Sequence, residues 1–215
     1  MAAFGTWLKD NAVLLSALIA LLGVLGTLLV NMRLGEESRQ ENELQTYLDD
    51  MGQMVLDEDN RLSEAEPGDP ISNLGRAKTL TILQRLDAER KRIVLQFLYE
   101  SDLIDKDGRV LDLWTANLRG ADLTGALLKS ADLSGTDLTE ANLRNASLEG
   151  AALRNAYIVG ADLSNANLRD ADLRGAGKYV TGEGLVPFAN EELEELERQP
   201  RTLEGATMPD GTTHD

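Results

Sequence analysis

The stretch from Leu111 to Ala176 repeats every five residues. Ala116-Asn117-Leu118, Ala121-Asp122-Leu123, Ala141-Asn142-Leu143 and Ala171-Asp172-Leu173 are typical units. Two polar or small residues follow each, such as Arg119-Gly120 or Ser164-Asn165. Steps of five from Leu113 to Leu173 reach thirteen positions, of which twelve are Leu and one is Ile158. The residue two before each is Ala in eleven cases, with Leu111 and Thr136 the exceptions. So regular a period limits the chain to stacked copies of one small unit.

Five is neither the helical nor the strand period. Within a unit the Ala and the Leu are two apart, so on extended backbone they share a side and the Asp or Asn between them faces the other way. The next pair must turn the corner, a task suited to Gly, Ser, Asn and Thr. A short extended segment plus a bend, repeated, makes a coil. One unit buries almost nothing, so coils must stack to close a core.

The A(D/N)LXX pattern resembles the pentapeptide-repeat family. The resemblance implies a right-handed quadrilateral β-helix, four units to a turn and about three turns in all, with Leu and Ala inside. The fold class expected is mainly β with α, the β-helix being preceded by a transmembrane helix and a small helical segment. The structural core would be Leu118, Leu123, Leu133, Leu138, Leu143, Leu148, Leu153, Ile158, Leu163 and Leu168. Four apolar residues fall at outward positions, Trp114, Leu127, Tyr157 and Val159. They would either meet a partner or lie under the caps. Outward positions recur every twenty residues, which would set Lys129, Glu149 and Arg169 in one column and bring Asp132, Arg154 and Asp172 near one another.

Before the repeat, residues Ala12 to Val30 carry no charge. Nineteen helical residues span about 28 Å, close to a bilayer's hydrocarbon core. Residues 12–31 therefore read as a transmembrane helix after a tail at 1–11. A cleaved signal peptide and a buried helix are the rival readings. Counting Lys and Arg at the two ends favours a cytoplasmic carboxyl-terminal body. Residues 36–58 form an amphipathic helix, with Leu44, Tyr47, Leu48, Met51, Met54 and Val55 on one face. That face packs on the next helices or zips to a second copy. A linker at 59–71 contains Pro67-Gly68-Asp69-Pro70.

Residues 72–104 read as a helical cap. Its first helix has a Leu80, Leu83 and Leu86 stripe. Its second is capped by Asp87 and striped by Ile93, Val94, Phe97 and Leu98. The cap covers the apolar end and open backbone of the first coil, which would otherwise stack on another molecule. Its basic residues, Arg76, Lys78, Arg85, Arg90, Lys91 and Arg92, are either a solvated face or a headgroup contact. Similar helical lead-ins occur in membrane-anchored bacterial relatives, as far as the resemblance reaches. The β-helix spans 111–176. After it, Lys178 stands where a buried Leu belongs, and 177–208 reads as a carboxyl-terminal cap holding a short helix capped by Asn190. Residues 209–215 are a tail.

With no Cys there is no thiolate and no Cys-based metal site. The formal charge of −16 disfavours a phosphate backbone as partner. The lone His214 has no convergent partners. No cofactor and no catalytic or metal residues are expected. The partners expected are a lipid bilayer through residues 12–31 and a protein, with no nucleic acid and a possible homo-oligomer. The leading reading is a non-catalytic, membrane-anchored scaffold or protein-binding module. The alternatives are a DNA-mimicking, gyrase-interacting protein, which the resemblance suggests, and a self-assembling membrane structural protein.

Overall fold

The computed structural model describes residues 12–57, 61–180 and 184–187, with side chains over 30–57 and 61–177. By internal contact the chain divides into one unit at Met1–Asn42 and a second at Glu43–Asp215.

The first helix, α1, is continuous over Ala12–Leu56. Two elements were expected here, broken between residues 31 and 36. Gly35 alone costs only about 1 kcal/mol of helix propensity, and no Pro interrupts the run. Arg33–Glu37 at 3.0 Å and Arg39–Glu36 at 2.6 Å pair along the helix across that stretch. Among the described residues no helix is long and apolar enough to cross a membrane. The side chains of residues 12–29, on which the expected span rests, lie outside the described residues.

In the second unit, Leu44, Tyr47 and Met51 of α1 are buried. Tyr47 meets Phe97 edge-on at 6.5 Å, and its hydroxyl shares a 2.8 Å hydrogen bond with Thr79. Burial, partly offset by that bond, raises its pKa well above the ordinary tyrosine value. The face expected either to pack on the next helices or to zip to a second copy, Leu44 to Val55, is thus packed within the second unit, with Leu48, Met54 and Val55 partly buried against its core.

The expected linker contains a core residue. Leu62, in a single 3₁₀ turn at Leu62–Glu64, is fully buried. It packs close to Gly75 beside Leu111, and a Cβ on Gly75 would stand 3.1–3.2 Å from both leucines. The second helix, α2, covers Pro70–Leu83, with Pro70 in its first turn where a missing N–H costs nothing. The third, α3, covers Ala88–Glu100, and the Asp87 carboxylate accepts from Arg90 N at 3.0 Å as its cap. It ends in a left-handed Asp102 (φ 55°), with Leu103 N donating to Leu98 O and Asp102 N to Tyr99 O. That six-to-one and five-to-two pair is a Schellman close. Ile93, expected in the α3 stripe, is instead 42% exposed, and Leu95 takes its place inside.

Residues 111–176 coil. Parallel bridges join Asn117 to Asp137 to Tyr157, Asp122 to Asn142 to Asp162, Leu127 to Ser147 to Asn167, and Asp132 to Ala152 to Asp172. Four columns with a step of twenty residues define four sides. Each side is too short for a continuous strand, and pairing is a single bridge per coil. Leu118 N, for example, donates to Asp137 O at 2.8 Å, and Asp137 N to Ala116 O at 2.9 Å. Leu118, Leu123, Leu133, Leu138, Leu143, Leu148, Leu153, Ile158, Leu163 and Leu168 are all buried, as are Leu111 and Thr136 in the smaller column.

After the coil, β1 (Gly177–Val180) pairs antiparallel with β2 (Gly184–Pro187). Gly177 also extends the Tyr157 column, so the hairpin grows out of the last coil. A hairpin was not anticipated in the expected carboxyl-terminal cap. The helix placed after Asn190, the rest of that cap and the tail at 209–215 lie outside the described residues.

Candidate functional site

The coil surface follows from its corners. At each corner the N–H of the unit's first residue donates back to the Leu carbonyl three residues earlier, as in Ala121 N to Leu118 O at 3.0 Å. The third residue of each such turn has positive φ. There are thirteen, every fifth residue from Thr115 to Gly175, all between 55° and 70°. These are type II turns, which favour Gly or Asn at that place. Six are Gly, and Asn145, Asn155 and Asn165 also suit it, whereas Thr115 and Glu140 do not.

The Asp or Asn at the centre of the units has a local task. Its side-chain oxygen accepts from the N–H two residues on, as in Asn117 to Arg119 N at 3.1 Å, Asp132 to Ser134 N at 3.0 Å and Asp162 to Ser164 N at 2.9 Å. These bonds brace the start of every such corner, which explains the residue type. Hydrogen bonds from Thr124 hold the Asp122 carboxyl below the usual range, and bonds from Ser164 do the same at Asp162. The spacing from Asx to the turn, constant along the repeat, is the signal that could have revealed this role in sequence.

Charges between coils pair along the stack. Lys129 meets Glu149 at 2.8 Å, Arg119 meets Glu140 at 2.8 Å, and Arg144 meets Asp162 at 3.1 Å. The Lys129 and Glu149 side chains lie in the anticipated column. Asp172 is held by Arg154 and, at 2.7 Å, by Arg174. Burial pushes the Asp172 carboxyl up, but the two guanidinium groups outweigh it and bring its pKa down to about 2.

The helices seal the first coil by hydrogen bonds. Asp122 N donates to Ala88 O at 3.1 Å and Asp132 N to Ile104 O at 2.7 Å. Lys106 N donates to Ser130 O at 2.9 Å beside an antiparallel bridge from Asp105 to Ala131. Four of the six basic cap residues are engaged within the chain. Arg76 donates to Trp114 O, Lys78 pairs with Asp50, Arg90 with Asp87, and Lys91 donates to Asn117 Oδ1 and Arg119 O. Arg85 lies 4.0 Å from Glu43, and Arg92 is exposed.

The four outward apolar residues do not form one patch. Tyr157 and Val159 come together, with Arg119, Asp137 and Thr139, around a shallow recess of about 450 Å³. Trp114 stands at the next corner, 44% exposed, against Gly135. Leu127 projects from another side at 58% exposure. Coverage by the caps does not extend to Trp114, Leu127 or Val159 among the described residues. A larger groove of about 680 Å³ runs along the Asp132–Ala152–Asp172 side between Trp114, Arg109 and Arg154. It is possible because Ala152 replaces the Asx of neighbouring coils. Among the described residues no group of His, Asp and Glu is placed to hold a metal ion.

Residues 112–145 and 146–176 match the family described as pentapeptide repeats, in eight copies. Among solved structures, similarity extends to a pentapeptide repeat protein from Nostoc Pcc 7120 at 33% identity, covering 44% of this chain and 65% of that one, with a TM-score of 0.34. A second, from the cyanobacterium Cyanothece 51142, is 34% identical over 46% of this chain and 57% of that one, with a TM-score of 0.23. HetL of Nostoc sp. strain PCC 7120, a pentapeptide repeat protein involved in heterocyst differentiation regulation, is 32% identical over 47% of this chain and 55% of that one, with a TM-score of 0.15. The chain thus spans less than two thirds of the length of each. No curated protein matches it by sequence.

Proposed function

We propose that this chain, whose residues 112–176 are pentapeptide repeats, is a non-catalytic protein-binding module held at a membrane by one helix. The observation that carries the reading is how the coil spends its chemistry. Its leucines fill the inside, its Asx side chains brace their own corners, and its cross-coil charges are paired. What is left facing outward is shape, plus Trp114, Leu127 and Val159. A rigid surface with few apolar anchors suits recognition of a protein. The tether rests on nineteen uncharged residues at Ala12 to Val30 within α1. The positive residues Arg33 and Arg39 beyond that run favour a cytoplasmic coil.

The DNA-mimic alternative needs a continuous negative column. Arg119, Arg144 and Arg154 interrupt one at every coil by pairing with Glu140, Asp162 and Asp172, which counts against it.

The test places a photo-crosslinking residue at Val159 or at Arg169 in the intact chain, in native membranes. A discrete protein adduct from Val159 and none from Arg169 supports the reading. No adduct from Val159, Leu127 or Trp114 overturns it. Alkaline carbonate extraction tests the tether, since a peripheral protein is released and one spanning the bilayer stays.

A further inference from the structure

We infer that the groove beside Trp114 receives an arginine side chain from the partner protein, an inference that rests on the binding-module reading. Charge and shape lead there independently. The cations lining the groove are all committed. Arg109 pairs with Asp132 at 2.5 Å, Arg154 with Asp172, and Lys106 Nζ donates to Gly150 O at 2.7 Å. Of its five carboxylates, Asp132, Asp170 and Asp172 are paired. Asp107 and Asp112 line the same groove, and neither takes part in a salt bridge among the described residues. Asp112 Oδ1 accepts from the Trp114 backbone N–H at 2.8 Å, which holds the carboxylate at the backbone of the residue that carries the indole, and both residues line the groove. The groove therefore has unspent negative charge, and it favours a cation over a phosphate or a carboxylate.

The indole selects the kind of cation. A Cβ at Gly135 would run into Trp114 Cδ2, Cε3 and Cε2, so the six-membered ring rests on the glycine backbone. The ring is held against Gly135, the residue remains 44% exposed, and it lines the groove. A guanidinium stacks on such a ring and pairs with a carboxylate at its edge, whereas a hydrated metal ion gains nothing from the ring. A planar side chain on an extended peptide also fits a groove that follows the stack of coils.

The experiment uses the full chain in detergent micelles with Trp7→Phe, which leaves Trp114 as the sole indole. The probe is acetyl-Gly-Arg-Gly-Arg-Gly-amide, with the citrulline peptide as its uncharged match and calcium chloride as a third titrant. A saturable change in Trp114 emission with the arginine peptide is expected. The citrulline peptide should bind roughly tenfold more weakly, given what one cation–π and carboxylate contact contributes. Asp112→Asn keeps the acceptor for Trp114 N and should weaken the arginine peptide several-fold with unchanged circular dichroism. Equal binding of the citrulline peptide, a response to calcium alone, or indifference to Asp112→Asn overturns the inference. A partner crosslinked at Val159 equally well by the Trp114→Leu chain also overturns it, while leaving the binding-module reading in place.

Discussion

Lys91 of α3 donates to the backbone carbonyl of Arg119 at 3.0 Å and to Asn117 Oδ1 at 3.2 Å. The side chain lies almost wholly out of water. Desolvation lowers its pKa, and Asp137 and Asp87 partly offset that. One buried ammonium thus fastens the helical cap to the second corner of the coil. Lys91→Met keeps the packing but strands the Arg119 carbonyl and leaves Asn117 Oδ1 with Arg119 N alone, and should cost about 1–3 kcal/mol in urea unfolding. A loss confined to the cap, seen as faster hydrogen exchange in α3 with the coil still protected, would locate the effect. No loss at all would mean the cap is held by its leucines alone.

The inside and outside of the coil should respond unequally. Leu143 is fully buried, so Leu143→Asp places a carboxylate among leucines and should unfold the coil. Glu149, paired with Lys129 on the surface, should tolerate Ala with hardly any change in the melting midpoint. Thermal unfolding followed by circular dichroism compares the two, and similar losses would contradict the assignment of faces.

Thr115 carries a β-branched side chain at φ 70°, where such residues are strained by about 1–2 kcal/mol. Thr115→Asn should therefore stabilise the chain by about 1 kcal/mol. Gly135→Ala at φ 66° should do the reverse, because its methyl group meets the Trp114 ring as well. Denaturant midpoints at equal slope decide the sign of each.

Asp172 supplies the acid limit of the coil. Its carboxyl titrates at about 2 in the folded chain, where burial is outweighed by Arg174 and Arg154, and near 3.9 when unfolded. A depressed carboxylate stabilises the fold fully above its unfolded value, and that contribution fades as pH falls through its folded value. The melting midpoint should drop between about pH 4 and pH 2. Asp172→Asn should start lower and show a shallower drop across that window. A parallel pair of pH profiles would remove Asp172 from the account.

Much of the coil was readable as letters. Steps of five placed Leu118 and Leu143 inside, because each unit meets the same local requirements as its neighbour, while Lys129 above Glu149 followed from the four units per turn that the family resemblance implies. Twenty-residue recurrence then follows from four corners. The Asx brace was present in the letters too, but as a type preference with no partner named.

Other features belonged to residues distant in sequence. Leu62 lies in a stretch rich in turn residues, and only Gly75 and Leu111 make it core. Ile93 fits a helical stripe yet faces out, since the coil below α3 leaves room for Leu95 instead. The repeat's own period was enough to specify corners and interior, for those depend on contacts that recur at fixed separation, and the family resemblance supplied the stacking step. Where α3 lands, which coil end Lys91 closes, and why Trp114 stays open over Gly135 came from packing between segments with no shared period, and packing of that kind is settled only when the chain has folded.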